Sequence, residues 1–322
     1  MKIISILALE SSVIEAIADP IYVFKVVNDY LEQSGKQRVF NVEVIGLGGE
    51  IKLNGNMFTV NVDKHLENVK KTDLIIIPSF DGDAKTAIEK NKLFLPWIID
   101  QYKQGCEIAS LCVGSFILAS TGLLKGKKCS GHWMRSNEFK EMFPDVALID
   151  GAIITEDHGI YSSGGANSYW NLLLYLVEKY TDRETAVYIS KAFAVDINRD
   201  SQAEYIMFMG LKNHGDNEIL KAQKFIEENY KEKIVVDNLA SMLAIGKRSF
   251  ERRFKKATKY NVVDYNQRIK VENAKRSFET TRKTISEVMF DVGYLDHKSF
   301  RLVFKKITGS APIEYRDKYN KM

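Results

Sequence analysis

The 322-residue chain has few cysteines and no long apolar run, and each shortage excludes a class of protein. Its three cysteines, Cys106, Cys112 and Cys129, are too few for a disulfide framework, which favours a reduced, cytoplasmic protein. No segment approaches the roughly 20 apolar residues of a membrane span. The apolar run at residues 3–9 has the length of a buried strand rather than of a signal peptide. We therefore expect a protein with no membrane partner.

Charge is unevenly distributed along the chain, although the formal net charge is only +4. Residues 216–322 contain 24 Lys and Arg against 15 Asp and Glu, whereas residues 1–215 contain 22 against 27. A basic back part joined to a mildly acidic front part indicates that only the back part binds a polyanion. A merely solvated basic surface would give the same composition.

The pattern of apolar residues changes along the chain and indicates two domains. Up to residue 195, short apolar runs typical of buried strands alternate with helical periodicity, including one helix at about 84–104. This alternation predicts an α/β fold, flavodoxin-like, with a mostly parallel sheet and helices on both faces. From residue 217 every segment has helical periodicity, and we predict seven helices in an all-α double helix-turn-helix domain. The predicted domains are 1–195, a linker at 196–216, and 217–322.

A repeat lies within the all-α part. The segments SFERRFKKATK (249–259) and SFRLVFKKITG (299–309) are near copies that start 50 residues apart. Each basic helix follows another predicted helix across a short turn, and it combines an aromatic inner face with a cationic outer face. Such a helix suits insertion into the major groove of DNA. A long helix at about 262–279 would hold the two basic helices about one DNA turn apart.

Residues 217–316 resemble the AraC/XylS family of transcription regulators. The resemblance lies in RSFERRFKKATKYNVVDYNQRIKVENAKRSFE and ISEVMFDVGYLDHKSFRLVFKKITGSAPIEYR. It implies sequence-specific binding of double-stranded promoter DNA, with RNA polymerase as a further candidate partner. The DNA-binding candidates are Lys247, Arg248, Ser249, Glu251, Arg252 and Lys256 in the first basic helix, and His297, Lys298, Ser299, Arg301 and Lys305 in the second.

Two residues depart from the pattern of that family. Leu302 lies where a polar or basic residue is often found, which weakens the expectation that the second basic helix reads bases. Lys259 replaces the glycine that usually closes the first basic helix, so Asn261 is expected to supply the left-handed turn.

The segment ASLCVGSFILASTGLLKGKKCSGHW (109–133) has the form of a nucleophile elbow. A predicted strand ends at Cys112, and a helix begins directly with Gly114 and Ser115. The helix N-terminus would lower the pKa of the thiol, and His132 is placed to pair with the thiolate. A zinc site made of Cys112, Cys129 and His132 fits no standard spacing, so we predict neither a metal nor a cofactor.

Residues 3–195 resemble the class I glutamine amidotransferase-like, ThiJ/PfpI-type domain that precedes the DNA-binding part in many AraC-family regulators. The matching pieces include Cys112-Val113-Gly114, LASTGLLKGKK, His132-Trp133 and SSGGANSYWNLLLYLVEKY. The resemblance implies a dimerising effector sensor whose pocket contains Cys112, Val113, Gly114 and His132, with Glu15 as the nearest acidic partner of the cysteine. Ser110 departs from the Gly or Ala usual two residues before the cysteine.

Three hypotheses for the function remain at this stage. The leading one is a homodimeric transcription regulator controlled by an amino-acid- or amine-like small molecule, without enzymatic activity. The alternative is a cysteine-dependent amidohydrolase or glyoxalase-like enzyme fused to a DNA-binding domain. A third is a constitutive architectural DNA-binding protein whose front domain serves only for dimerisation.

Overall fold

The computed structural model describes residues 1–197, 201–212 and 214–320. The chain forms two compact units, Met1–Gln202 and Ala203–Met322, so the division falls within the segment predicted as a linker. No helix in the described part of the chain is long and apolar enough to span a membrane.

The first unit contains eleven strands and seven α-helices among its described residues. The strands are β1 (Lys2–Leu7), β2 (Phe40–Gly46), β3 (Glu50–Leu53), β4 (Phe58–Asn61), β5 (Lys64–His65), β6 (Leu74–Ile77), β7 (Glu107–Ser110), β8 (Lys128–Cys129), β9 (Ala147–Leu148), β10 (Ile154–Asp157) and β11 (Ile160–Ser163). The helices are α1 (Glu15–Gln33), α2 (Ala84–Lys90), α3 (Phe94–Lys103), α4 (Ser115–Ser120), α5 (Ser136–Met142), α6 (Tyr169–Tyr180) and α7 (Arg183–Ala192).

A seven-stranded sheet with the order β10-β11-β7-β6-β1-β2-β5 forms the centre of this unit. Its pairs are parallel except β10 with β11. The inner order β2-β1-β6-β7-β11 is that of flavodoxin-like folds, so the predicted fold class is confirmed. Because side chains alternate across a strand, Leu74 and Ile76 pack on one face of the sheet while Ile75 and Ile77 pack on the other.

The predicted single helix at 84–104 is wrong, because the chain forms α2 and α3 with a break between them. In a continuous helix the ring of Pro96 would clash with the carbonyl of Lys92. Asn91 lies at this break, directly after α2, and its buried side chain accepts a hydrogen bond from the Glu10 N–H at 2.8 Å. Helix α5 lies where the sequence pattern predicted no element.

The second unit is helical, and the predicted number of seven α-helices is confirmed for its described residues. The helices are α8 (Asn217–Glu228), α9 (Val236–Met242), α10 (Lys247–Thr258), α11 (Val262–Thr280), α12 (Ile285–Asp291), α13 (His297–Thr308) and α14 (Pro312–Tyr319). Two apolar clusters, one for each helix pair, form its core. Helix α11 joins them, since its Tyr265 lies in the first cluster and its Phe278 in the second.

The turn after α10 differs from the prediction. Lys259 itself adopts the left-handed conformation, with φ of 67°, and Gly309 does so at the matching place after α13, with φ of 84°. Asn261 instead caps α11, its side chain accepting a hydrogen bond from the Asp264 N–H at 2.8 Å. The left-handed conformation costs a non-glycine residue about 1–2 kcal/mol, a cost that the surrounding fold offsets here.

The segment from Ala203 to Lys212 packs on the second unit. The ring of Phe208 contacts those of Tyr260 and Tyr265, with centroids 5.6 and 5.2 Å away. Gly210 lies so close to Tyr265 that a Cβ would stand 2.3 Å from the phenol oxygen. Further along the same unit, Lys275 donates a hydrogen bond to the Ile206 carbonyl at 2.7 Å.

Candidate DNA-binding surface and effector site

Helices α10 and α13 have the same length and the same inner face. Each spans 12 residues, and each buries two phenylalanines four residues apart. Phe250 and Phe254 belong to the first apolar cluster, and Phe300 and Phe304 to the second. Burial of these rings fixes the rotation of each helix, and it therefore fixes which side chains face solvent.

The outer face of α10 carries the first group of predicted DNA contacts. Lys247, Arg248, Glu251, Arg252 and Lys256 are exposed, and Ser249 is half-buried. Lys247 binds Asp237 at 2.9 Å, and this hydrogen-bonded ion pair raises the pKa of the lysine. Within the described residues, Arg248, Arg252 and Lys256 have no acidic partner within 4.0 Å, so their cationic groups are available to a polyanion.

The outer face of α13 carries the second group. His297, Lys298, Ser299, Arg301 and Lys305 are all exposed. The side chain of Asp296 begins this helix by accepting a hydrogen bond from the Ser299 N–H at 2.7 Å. None of the cationic side chains of this group forms an ion pair in the described part of the chain.

The turn before α13 contacts the first half of the second unit. Gly293 has φ of 76°, and a Cβ there would lie 1.9 Å from the carbonyl oxygen of Lys231. The carbonyl of Gly293 accepts a hydrogen bond from the ammonium of the buried Lys270, on α11, at 2.9 Å. These contacts fix the second helix pair against the first, and with them the spacing of α10 and α13.

The elbow predicted around Cys112 is present in the first unit. Cys112 follows β7 with φ of 54°, and its side chain is only 5% exposed. The Cys112 N–H donates to the Ser163 hydroxyl at 3.2 Å. Position 114 needs glycine, because a Cβ would lie 2.6 Å from the carbonyl oxygen of Pro78. Val113, between them, is buried.

Burial raises the pKa of the Cys112 thiol above its ordinary value. Hydrogen bonds from the Ser79 side chain and the Val113 N–H, together with the positive charge of Arg135, oppose this effect without cancelling it. The expectation that the helix N-terminus makes this thiol acidic is therefore wrong. Loss of solvation outweighs the favourable hydrogen bonds in this closed environment.

The structure does not pair Cys112 with His132 or Glu15. The Nδ1 atom of His132 accepts a hydrogen bond from the Met134 N–H at 3.2 Å, and burial followed by the charge of Arg135 lowers the pKa of its imidazole. Glu15 is an exposed residue in the first turn of α1. Among the described residues, neither side chain forms a hydrogen bond with the thiol.

Ser79 and Arg135 are the neighbours of the thiol that the sequence pattern did not indicate. Arg135 donates to the Glu138 carboxylate through two nitrogens and to the Gly82 carbonyl at 3.1 Å. Its guanidinium also lies over the ring of Phe116, 5.4 Å from the centroid. Ser79 lies 33 residues before Cys112, and Arg135 lies 23 residues after it, directly before α5, so no local motif connects them to the elbow.

Gln202, the last residue of the first unit, is also part of this region. It is 1% exposed, and its side-chain amide donates to the carbonyls of Ala152 and Gly131, at 2.6 and 3.4 Å. Its side-chain oxygen accepts a hydrogen bond from the Gly165 N–H. A Cβ at Gly164 would lie 1.6 Å from the Gln202 amide nitrogen. Gly131 precedes His132, and Gly164 follows Ser163, whose hydroxyl accepts the Cys112 N–H, so Gln202 contacts two backbone segments near the elbow.

No group of three metal-ligating side chains occurs within residues 1–197, 201–212 and 214–320. Cys129, considered as a zinc ligand, is fully buried, and its thiol donates to the Ser130 carbonyl at 3.2 Å. Burial raises the pKa of this thiol to about 12, which disfavours the thiolate that a metal would need.

Comparisons with known proteins identify both units. The pattern of the DJ-1/PfpI family matches residues 2–179, and that of a helix-turn-helix domain matches residues 239–318. The chain is 23% identical over 284 residues to the HTH-type transcriptional regulator GbdR of Pseudomonas aeruginosa, which covers 88% of this chain and 76% of that protein. It is 24% identical over 216 residues to the HTH-type transcriptional regulator ArgR of the same species, covering 67% and 65%.

Among solved structures, an AraC family transcriptional regulator from Pseudomonas putida aligns with a TM-score of 0.51 and 17% identity. The alignment covers 60% of this chain and all of that one, and at this identity it supports the fold alone. The relatives that match along most of this chain are named as transcription regulators rather than as enzymes. The chain therefore belongs to the DJ-1/PfpI family, carries an AraC-type helix-turn-helix domain C-terminal to it, and is a DNA-binding transcription regulator.

Proposed function

We propose that the first unit binds a small-molecule effector beside Cys112, and that this binding changes the affinity of the second unit for promoter DNA. The observation that carries the proposal is the position of Gln202. It binds the backbone at Gly131, Ala152 and Gly165, and the residue that follows it begins the second unit. A ligand that moves Gly131 or Gly164 would therefore move the start of the segment that packs on the DNA-binding helices.

The charges near the elbow support an effector that carries both signs, such as an amino acid. Arg135 supplies a guanidinium close enough to interact with the thiol, while Asp83 and Glu138 supply carboxylates that interact with this guanidinium. A ligand carboxylate that competes with Glu138 for Arg135 would change an existing ion pair. The binding free energy would then differ between two states, as control by a ligand requires.

The proposed regulator acts as a homodimer, and RNA polymerase is the partner that responds to promoter occupancy. Its base contacts come from Arg248 and Arg252 on α10 and from Lys298 and Arg301 on α13. The exposed lysines in the last turns of both helices, Lys256 and Lys305, contact phosphates instead, since base edges are read mainly by the N-terminal residues of a recognition helix.

The alternative function as a cysteine hydrolase depends on a thiolate at neutral pH. Because burial raises the pKa of Cys112, we expect the native protein to react slowly with iodoacetamide at pH 7 and faster as the pH rises into the alkaline range. Mass spectrometry after timed labelling measures the rate of alkylation of each cysteine at each pH. Cys112→Ala is the control, since Cys106 and Cys129 are buried and the pKa of each is raised to about 12. Rapid labelling of Cys112 at pH 7 would favour the enzyme instead.

The control of DNA binding is tested with a ligand and a variant that separates binding from coupling. Thermal-shift screening with amino acids, amines and quaternary ammonium compounds identifies a ligand that stabilises the first unit. We expect that ligand to change the Kd for promoter DNA in the wild-type chain by about five- to 150-fold, the usual range of such coupling. In Gln202→Ala the ligand should still bind, while its effect on the Kd for DNA becomes much smaller.

A second buried glutamine provides the matched control for this variant. Gln101 is 3% exposed and also bonds to the backbone, accepting from the Thr72 N–H and donating to the Lys70 carbonyl. Gln101→Ala should lower the stability of the first unit and leave the ligand effect on DNA affinity intact. If the ligand changed the Kd for DNA equally in the wild-type chain and in Gln202→Ala, this would contradict the proposal that Gln202 couples effector binding to DNA binding. Stabilisation by none of the compounds would favour constitutive DNA binding.

A further inference from the structure

Leu302 is an exposed leucine in the middle of the charged face of α13. It is 62% exposed, and it lies outside the apolar clusters that the described residues form. Helical spacing places it beside Lys298, Lys305 and Lys306, which are three or four residues away, and Arg301 precedes it directly in the sequence. All four cationic side chains are exposed. A large apolar side chain is thus exposed among cationic side chains on a surface that would face a polyanion.

The internal repeat shows what has changed at this position. Helices α10 and α13 start 50 residues apart, so Leu302 corresponds to Arg252, Lys298 to Arg248, and Lys305 to Lys255. Lys298, Lys305 and Lys306 correspond to cations in the first copy, and the inner phenylalanines are kept as well, whereas Arg301 corresponds to Glu251. At the centre of the outer face, Glu251 and Arg252 of the first copy are thus replaced by Arg301 and Leu302, so that the second copy has an isobutyl group where the first has a guanidinium.

The groups that each base presents in the major groove indicate which base these two side chains would contact. A guanidinium donates two hydrogen bonds to O6 and N7 of guanine, which an isobutyl group cannot do. The apolar feature that a base pair presents in the major groove is the C5 methyl group of thymine. Contact with that methyl group would remove both apolar surfaces from water, which no guanine or cytosine edge allows.

We infer that Leu302 contacts a thymine methyl group in the half-site bound by α13, at the place where Arg252 reads guanine in the half-site bound by α10. This inference rests on the proposed use of both helices in DNA recognition. A protein surface is the other occupant that an exposed leucine suits. The four surrounding cations favour DNA, because its phosphates would neutralise them on either side of the contact.

Deoxyuridine tests the contact directly, because it differs from thymidine only in lacking the methyl group. The full chain first selects its site from random duplex DNA, and each thymine of the site is then replaced singly by deoxyuridine. We expect one replacement, in one half-site, to weaken wild-type binding by about fourfold, the value of burying one methyl group. The same replacement should leave the Kd of Leu302→Ala unchanged, since the partner of the methyl group is already gone.

Two further variants complement the deoxyuridine experiment. Ile313→Ala removes an exposed apolar side chain from α14 of the same unit, and it should keep the wild-type sensitivity to deoxyuridine. Leu302→Arg should shift the preferred base at that position from thymine to guanine, as Arg252 does in the first copy.

The inference fails if no deoxyuridine replacement affects wild-type binding, or if one weakens wild-type and Leu302→Ala equally. It also fails if Leu302→Ala keeps full DNA affinity but loses transcription in the presence of RNA polymerase, which would assign the leucine to a protein contact. Failure of the chain to select any sequence would overturn the proposed function together with the inference.

Discussion

Replacing Arg252 or Arg301 by alanine should weaken binding to the promoter site by about 1–3 kcal/mol each, as expected for loss of a base contact. Both side chains are exposed on the outer faces of α10 and α13, and neither has an acidic partner among the described residues. Truncation should therefore remove the proposed contacts to DNA without removing an ion pair within the described part of the fold. Fluorescence anisotropy with the selected site and a scrambled duplex measures both affinity and sequence preference.

Two variants separate base contacts from general attraction to a polyanion. Lys256→Ala should weaken binding to both duplexes similarly and reduce the salt dependence, as loss of a phosphate contact does. Lys103→Ala removes one exposed charge from α3 of the first unit and should leave the Kd unchanged. Unchanged affinity and unchanged preference in both arginine variants would refute the assignment of the base-reading residues.

Gly293→Ala should lower the free energy of unfolding of the second unit by about 3 kcal/mol, and DNA affinity should fall with it. A left-handed conformation costs alanine about 1–2 kcal/mol. The new Cβ would also lie 1.9 Å from the Lys231 carbonyl oxygen, and overpacking of this kind costs about 1–3 kcal/mol. Because the contacted atom belongs to the backbone, relief requires the two helix pairs to move apart. Urea unfolding, followed by the circular dichroism signal of the helices, measures the decrease in the free energy of unfolding.

Gly309→Ala is the matched control for this prediction. Gly309 also has a positive φ, of 84°, but a Cβ there would meet its nearest neighbour at 3.8 Å, an ordinary contact. This variant should show the conformational cost alone and keep the spacing of α10 and α13. Equal losses in Gly293→Ala and Gly309→Ala would show that the contact with Lys231 does not hold the two halves together.

Local patterns predicted the features that local physics determines. The aromatic stripe at Phe250 and Phe254 recurs at Phe300 and Phe304, and this periodicity alone indicates which face of each basic helix is buried. The strand-to-helix turn at Cys112 was likewise visible, because it needs small residues at adjacent positions such as Gly114. Both features depend on side chains within one or two turns of each other.

Features that depend on distant parts of the chain were missed. Ser79, Arg135 and Gln202 reach the region of the elbow from three segments far apart in the sequence, and no local pattern shows that such distant segments meet. The direction of the thiol pKa was also predicted wrongly, since a helix N-terminus is visible in the sequence whereas burial is a property of the whole fold. The left-handed conformation of Lys259 was missed for the same reason, because packing of the whole domain overrides the local preference for glycine at such a position.

Selection of bound sequences from random duplex DNA by the full chain, with and without the stabilising ligand, tests the central claim most directly. We predict enrichment of one asymmetric site with two different elements about one DNA turn apart, as two recognition helices on one face require. We also predict that the ligand changes the Kd for this site. Recovery of no sequence above the random background, or of one that binds equally with and without the ligand, would contradict a ligand-controlled transcription regulator.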